Sequence, residues 1–108
     1  MTLNEYQTAA LKTAVYPDTQ NIIYPCLGLA GEAGEVADKV KKVLRDKNSM
    51  FSNETKQELA KELGDVLWYV AVLANDLGFD LNAIASINVR KLASRQQRNM
   101  LQGSGDNR

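Results

Sequence analysis

The chain has 108 residues, enough for one small domain but not for two. Its 44% hydrophobic and 24% charged residues read as soluble and globular, and its 13 basic and 13 acidic residues cancel, leaving no electrostatic footprint for a nucleic-acid polymer or an anionic membrane. Histidine is absent, which excludes Ser-His-Asp and Cys-His catalysis and imidazole-based zinc sites, and weakens a di-iron carboxylate reading.

Four helices are predicted in chain order, with no period-two strand pattern and no solenoid repeat. The first runs from about Leu3 to Ala14, with Thr2 as cap and Glu5 completing a capping box. Tyr16-Pro17-Asp18 breaks it. The second starts near Gln20 or Asn21 and runs to about Asp46, with Pro25 tolerated only in its first turn. Cys26, the lone cysteine, is expected to be a small buried hydrophobe. Gly28, Gly31 and Gly34 each cost up to about 1 kcal/mol in a helix relative to alanine. They suggest close helix approach or a backbone that admits a ligand; the alternative is an irregular lead-in with the helix starting near Gly28. Val36, Val40, Val43 and Leu44 make its apolar stripe.

Residues 47–50 form the connection, and Ser52 or Asn53 caps a third helix that runs to about Leu77. Leu59, Leu63, Val66, Val70, Leu73 and Leu77 are its expected buried stripe, and Gly78 ends it. Asp80 caps a fourth helix, about Leu81 to Arg98, with Leu81, Ile84, Ile87 and Leu92 apolar. The expected fold is all-α: an antiparallel bundle of about four helices over 1–98, then a polar tail, 99–108, either disordered or folded over a neighbouring site. So short a chain cannot cover its own apolar faces, so oligomerisation is expected to complete the bundle. The N-terminus lacks a signal-peptide pattern. The longest apolar run, Val66 to Ala74, falls short of the roughly 20 residues of a membrane span, so a cytoplasmic location is the default expectation.

The chemistry lies in two acidic pairs. Glu32 and Glu35 are three apart in the second helix, as are Glu62 and Asp65 in the third. At that spacing both acids of a pair share one helix face and repel, which asks for a cation. The pairs are also mirrored about the connection. In an antiparallel hairpin Glu35 comes level with Glu62, and Glu32 with Asp65. Four carboxylates near one seam form a hard, all-oxygen site suited to Mg²⁺ or Mn²⁺, which substrate phosphates commonly complete. The plain alternative is a solvated acidic surface.

Neighbouring residues extend this constellation. Glu58, one turn before Glu62, is a further ligand, an outer partner or a base, or else an ordinary surface charge. Lys39 is read first as an ion-pair partner of Glu35 four residues back, and second as a phosphate ligand. Tyr69 projects one turn beyond Asp65, where a base could stack on it, or else packs in the core; Trp68 points about 100° away, toward the core or a subunit interface. Asn88, Lys91 and Arg95 make one polar stripe on the fourth helix, either solvated or facing the acidic seam to hold phosphates.

Residues 27–36, Leu-Gly-Leu-Ala-Gly-Glu-Ala-Gly-Glu-Val, with residues 62–69, Glu-Leu-Gly-Asp-Val-Leu-Trp-Tyr, closely resemble the MazG-like family of all-α nucleoside triphosphate pyrophosphohydrolases. Residues 88–95 resemble the polar fourth-helix segment of that family. The resemblance implies Mg²⁺ held by Glu32, Glu35, Glu62 and Asp65. It implies hydrolysis of a nucleoside triphosphate, expected to be a deoxynucleotide, to its monophosphate and pyrophosphate. It also implies a homodimer or homotetramer, with Asn88, Lys91 and Arg95 on phosphates or sugar and Tyr69 near the base. Glu35 or Glu58 is the expected water-orienting carboxylate. The rival readings are a non-catalytic helical interaction module and a nucleotide sensor without turnover.

Overall fold

The computed structural model describes residues 1–108. It is all-α: α1 (Leu3–Leu11), a single 3₁₀ turn (Asp18–Gln20), α2 (Ile23–Asp46), α3 (Asn53–Asp76) and α4 (Leu81–Gln97). No single helix is long and apolar enough to cross a membrane.

Local chemistry explains the boundaries. Thr2 and Glu5 form the reciprocal capping box: the Glu5 N–H donates to Thr2 Oγ1 at 3.0 Å and the Thr2 N–H to Glu5 Oε1 at 3.3 Å. α1 stops at Leu11, short of the expected Ala14. The N–H groups of Lys12, Thr13 and Ala14 bond three residues back, and the Thr13 hydroxyl donates to the Ala10 carbonyl at 2.9 Å. α2 starts at Ile23, later than expected, because Ile22 lies in the left-handed region at φ +70°. That conformation is uncommon for a β-branched residue. Asp76 holds it, accepting the Ile22 N–H at 2.9 Å and the Tyr16 hydroxyl at 2.8 Å. The same hydrogen bond, after burial, pushes the Tyr16 phenol up to about 12.

Pro25 falls in the first turn of α2, and the three glycines lie within the helix, so the irregular lead-in does not occur. Pro25 is fully buried while Cys26 is exposed, against expectation. Adjacent helical positions point about 100° apart, and α3 covers one side of α2 only. Ser52 caps α3 and Asp80 caps α4 through their side-chain oxygens. Between them α3 ends in a Schellman turn: Gly78 has φ +86°, its N–H bonds to Asn75, and the Phe79 N–H bonds back to Ala74.

α2 and α3 pack as an antiparallel pair along most of their length. α4 leaves α3 at 100°. The compact core sits at that corner, where Ala10, Ala71, Val72, Ala74 and Leu81 meet under Tyr6, Leu11, Trp68 and Ile84. Buried Gln7 joins the three helices: its amide donates to the carbonyls of Ala71 and Phe79 and accepts the Leu81 N–H. Both the nitrogen and the oxygen of the buried Gln7 amide are matched, as burial requires.

The expected α3 stripe is only partly covered. Leu59, Val66, Val70 and Leu73 are half-buried, but Leu63 is 56% and Leu77 51% exposed, because nothing else in the chain lies over them. Leu44, Ile87 and Leu92 are likewise exposed. The Cα radius of gyration is 16.8 Å, against about 13 Å for a compact domain of this length. The tail folds back on α4: Asp106 pairs with Lys91 at 2.8 Å and Arg95 at 3.2 Å. The Arg108 guanidinium donates to the carbonyls of Met100, Leu101 and Gly105.

Candidate metal and nucleotide site

The antiparallel pairing of α2 and α3 brings Glu32 up to Glu62 and Asp65. One carboxylate oxygen from each of the three lies within 4.8 Å of the others. Glu32 and Glu62 are half-buried and Asp65 is exposed. Negative charges so close repel one another. Desolvation first, and then the charges of Asp65, Glu62 and Glu35, hold the Glu32 carboxyl above the usual carboxylate range. The donor set is oxygen only and carries surplus negative charge, the chemistry a hard divalent cation fits.

Glu35 stands outside this trio. It is exposed, yet near enough for its charge to act on Glu32. Lys39 does not pair with Glu35. Its ammonium crosses the seam to Glu62 at 3.1 Å, because α3 offers a carboxylate at shorter reach than the same helix face does. That bond, and the charges of Glu62, Glu58 and Glu35, raise the Lys39 pKa despite desolvation. Glu58 lies a turn below Glu62, beside a cleft it shares with Lys39, Lys42 and Lys47, and not in the trio.

Next to the trio opens a cleft of about 320 Å³ lined by Thr13, Glu32, Asp65, Trp68 and Tyr69. Tyr69 is thus beside the acids. Its phenol is raised by desolvation first, then by neighbouring Tyr24 and the carboxylates of Glu32 and Asp65. Trp68 packs against the core, as expected, and its ring also lines this cleft. The Thr13 hydroxyl, on the turn after α1, accepts its indole N–H at 2.9 Å and draws the ring in. Trp68 and Tyr69 meet edge to face, with centroids 4.9 Å apart and planes at 86°. No helical periodicity places Thr13 here; its part follows from α1 packing across α3.

The fourth-helix stripe is elsewhere within one chain. Asn88 is exposed; Lys91 and Arg95 are engaged by Asp106, whose carboxyl they hold below its usual range. Arg95 is buried, with its Nε unpartnered. None of these residues lines the Glu32 cleft.

Residues 21–100 match the MazG nucleotide pyrophosphohydrolase domain, a span that includes all three converging acids and α2 to α4 but not α1. The chain is also 48% identical to the gene 37 protein of Mycobacterium phage L5, over a 114-residue alignment that covers 100% of both. No solved structure matches the chain. A match over most of the chain, with the acidic pairs inside it, shows that this protein belongs to the MazG nucleotide pyrophosphohydrolase family.

Proposed function

We propose that the protein is a Mg²⁺-dependent nucleoside triphosphate pyrophosphohydrolase that converts a deoxynucleoside triphosphate to its monophosphate and pyrophosphate. The observation that carries this reading is the convergence of Glu32, Glu62 and Asp65 from two helices, beside an aromatic cleft. These three residues would hold the cation, with Mn²⁺ as a substitute. Bound there, Mg²⁺ supplies neutralisation of phosphate charge.

The remaining work falls to the chain's own groups. Trp68 and Tyr69 offer flat apolar faces for a base, which sets the triphosphate across the acids. Lys39 orients Glu62 through their 3.1 Å contact and adds positive charge. Glu35 is not part of the trio and is exposed, so it is free to accept a proton from water. That water oxygen bonds to the α-phosphorus, the α–β bridging bond breaks, and pyrophosphate leaves with the electron pair. Glu58 is the second candidate for this proton, beside the cleft it shares with Lys39.

Asn88, Lys91 and Arg95 act on phosphates only if another subunit brings them to the cleft. The exposed Leu27, Leu63, Leu67 and Ile87 argue for that subunit. A dimer or tetramer is the expected state in solution; light scattering giving one protomer's mass at micromolar concentration would refute it. Triphosphate substrates are cytoplasmic solutes, and we place the protein there.

Incubation with each of the four common deoxynucleoside triphosphates and millimolar Mg²⁺, reading pyrophosphate, tests the activity. Stoichiometric pyrophosphate and monophosphate are expected. Binding without release would favour a nucleotide sensor, and release of inorganic phosphate alone would contradict cleavage at the α–β bond.

A further inference from the structure

Three glycines lie within α2, but they are not equivalent. A Cβ built on Gly31 or Gly34 meets nothing within 4 Å. A Cβ on Gly28 would overlap Tyr69 Cε1 and Cζ outright and lie 2.6 Å from Cδ1. A whole edge of the ring therefore rests on the bare backbone of α2. No small adjustment clears such an overlap; the ring must swing as a unit.

Its position makes that consequential. Gly28 is one turn before Glu32, and Tyr69 is one turn after Asp65. The Gly28–Tyr69 contact thus sits one helical turn along the seam from the acids, on the wall of the cleft. Trp68 stands edge-on to Tyr69 and is pinned by Thr13, so it does not retreat to make room. A displaced Tyr69 ring has the cleft to move into.

We propose that Gly28 is a positioning residue for nucleotide binding: by letting Tyr69 lie against α2, it sets the width of the cleft that receives the base. The proposal rests on the reading of the site as a nucleotide site, though not on turnover there. Gly28→Ala narrows the cleft without touching the acids.

Trp68 is the only tryptophan and lines the cleft, so its fluorescence reports occupancy directly. Titration with deoxynucleoside monophosphates in Mg²⁺ reads binding apart from hydrolysis. Gly28→Ala is expected to raise Kd by about tenfold, the scale of one misplaced methyl in a fitted pocket. The rise in melting temperature caused by Mg²⁺ should be unchanged, which a general distortion of α2 and α3 would not permit. In a Tyr69→Ala background, Gly28→Ala should leave Kd where Tyr69→Ala alone put it. The effect on melting temperature should reverse sign between backgrounds: lower with Tyr69 present, higher without it, since alanine is otherwise the better helix former. Equal Kd for Gly28→Ala and the native protein overturns the proposal. So does a loss of equal size in both backgrounds, and so does a native protein that binds no monophosphate. Gly28-dependent binding in a protein that releases no pyrophosphate would instead refute the hydrolase reading and leave this inference standing.

Discussion

Glu32→Gln and Glu62→Gln are each expected to lower pyrophosphate release by at least about 100-fold, the scale on which a misplaced or missing charge at a phosphoryl site acts. Their effects on stability should differ, because Glu62 alone of the two is paired with a cation. Glutamine is nearly isosteric with glutamate but carries no charge. At position 32 it removes a carboxylate that is desolvated and repelled by Asp65, Glu62 and Glu35, so without Mg²⁺ the variant should melt at or above the native temperature. At position 62 it breaks the 3.1 Å contact with Lys39. Both groups of that pair are partly exposed, so its loss should cost no more than about 1 kcal/mol. Thermal melting in chelator, with pyrophosphate release measured on the same samples, separates lost chemistry from lost fold. More than a tenth of native turnover in both variants would remove these acids from the site. A large loss of helix in both would make the comparison a statement about folding alone.

What was legible in the sequence is what acts over a few residues. The Thr2–Glu5 box, the Ser52 and Asp80 caps and the Gly78 stop depend on groups within one turn, and all appear as expected. The mirrored spacing of the acids carried further, because a hairpin of two straight helices has a single register variable; it brought Glu32, Glu62 and Asp65 together and left Glu35 just outside. Reach across the seam was not legible. Lys39 finds Glu62 and not Glu35, because pitch gives the level of a side chain along the axis, not the partner it bends toward. The left-handed Ile22, the Thr13–Trp68 bond and the 100° departure of α4 all depend on groups more than fifty residues apart or on the corner geometry itself. The exposure of Leu63 and Leu77 has a different origin, since periodicity identifies an apolar face but not whether the same chain supplies its cover.

Millimolar Mg²⁺ is expected to raise the melting temperature, and the rise should grow with pH. At a tenfold excess over Kd, binding to the folded state alone contributes about 1.4 kcal/mol. For a chain of this length that is a rise of roughly 5–10 °C. The pH dependence follows from Glu32, whose pKa is raised in the folded protein by desolvation and by three neighbouring acids. Between its ordinary value and the raised one, the folded state binds more protons than the unfolded state. Without Mg²⁺, stability therefore falls as pH rises through that window, and above it the full repulsion remains. A cation and a proton compete for the same oxygens. Below the window the proton already relieves the repulsion and Mg²⁺ adds little; above it the charge is available to Mg²⁺ and the rise is complete. Glu32→Gln should abolish the pH dependence of the rise along with most of the rise itself. Melting curves from pH 4 to 8 at constant ionic strength, with K⁺ balancing Mg²⁺, measure this directly. An equal shift from K⁺, or a Mg²⁺ shift that is flat across the range, would mean that the three acids are a solvated surface and not a binding site.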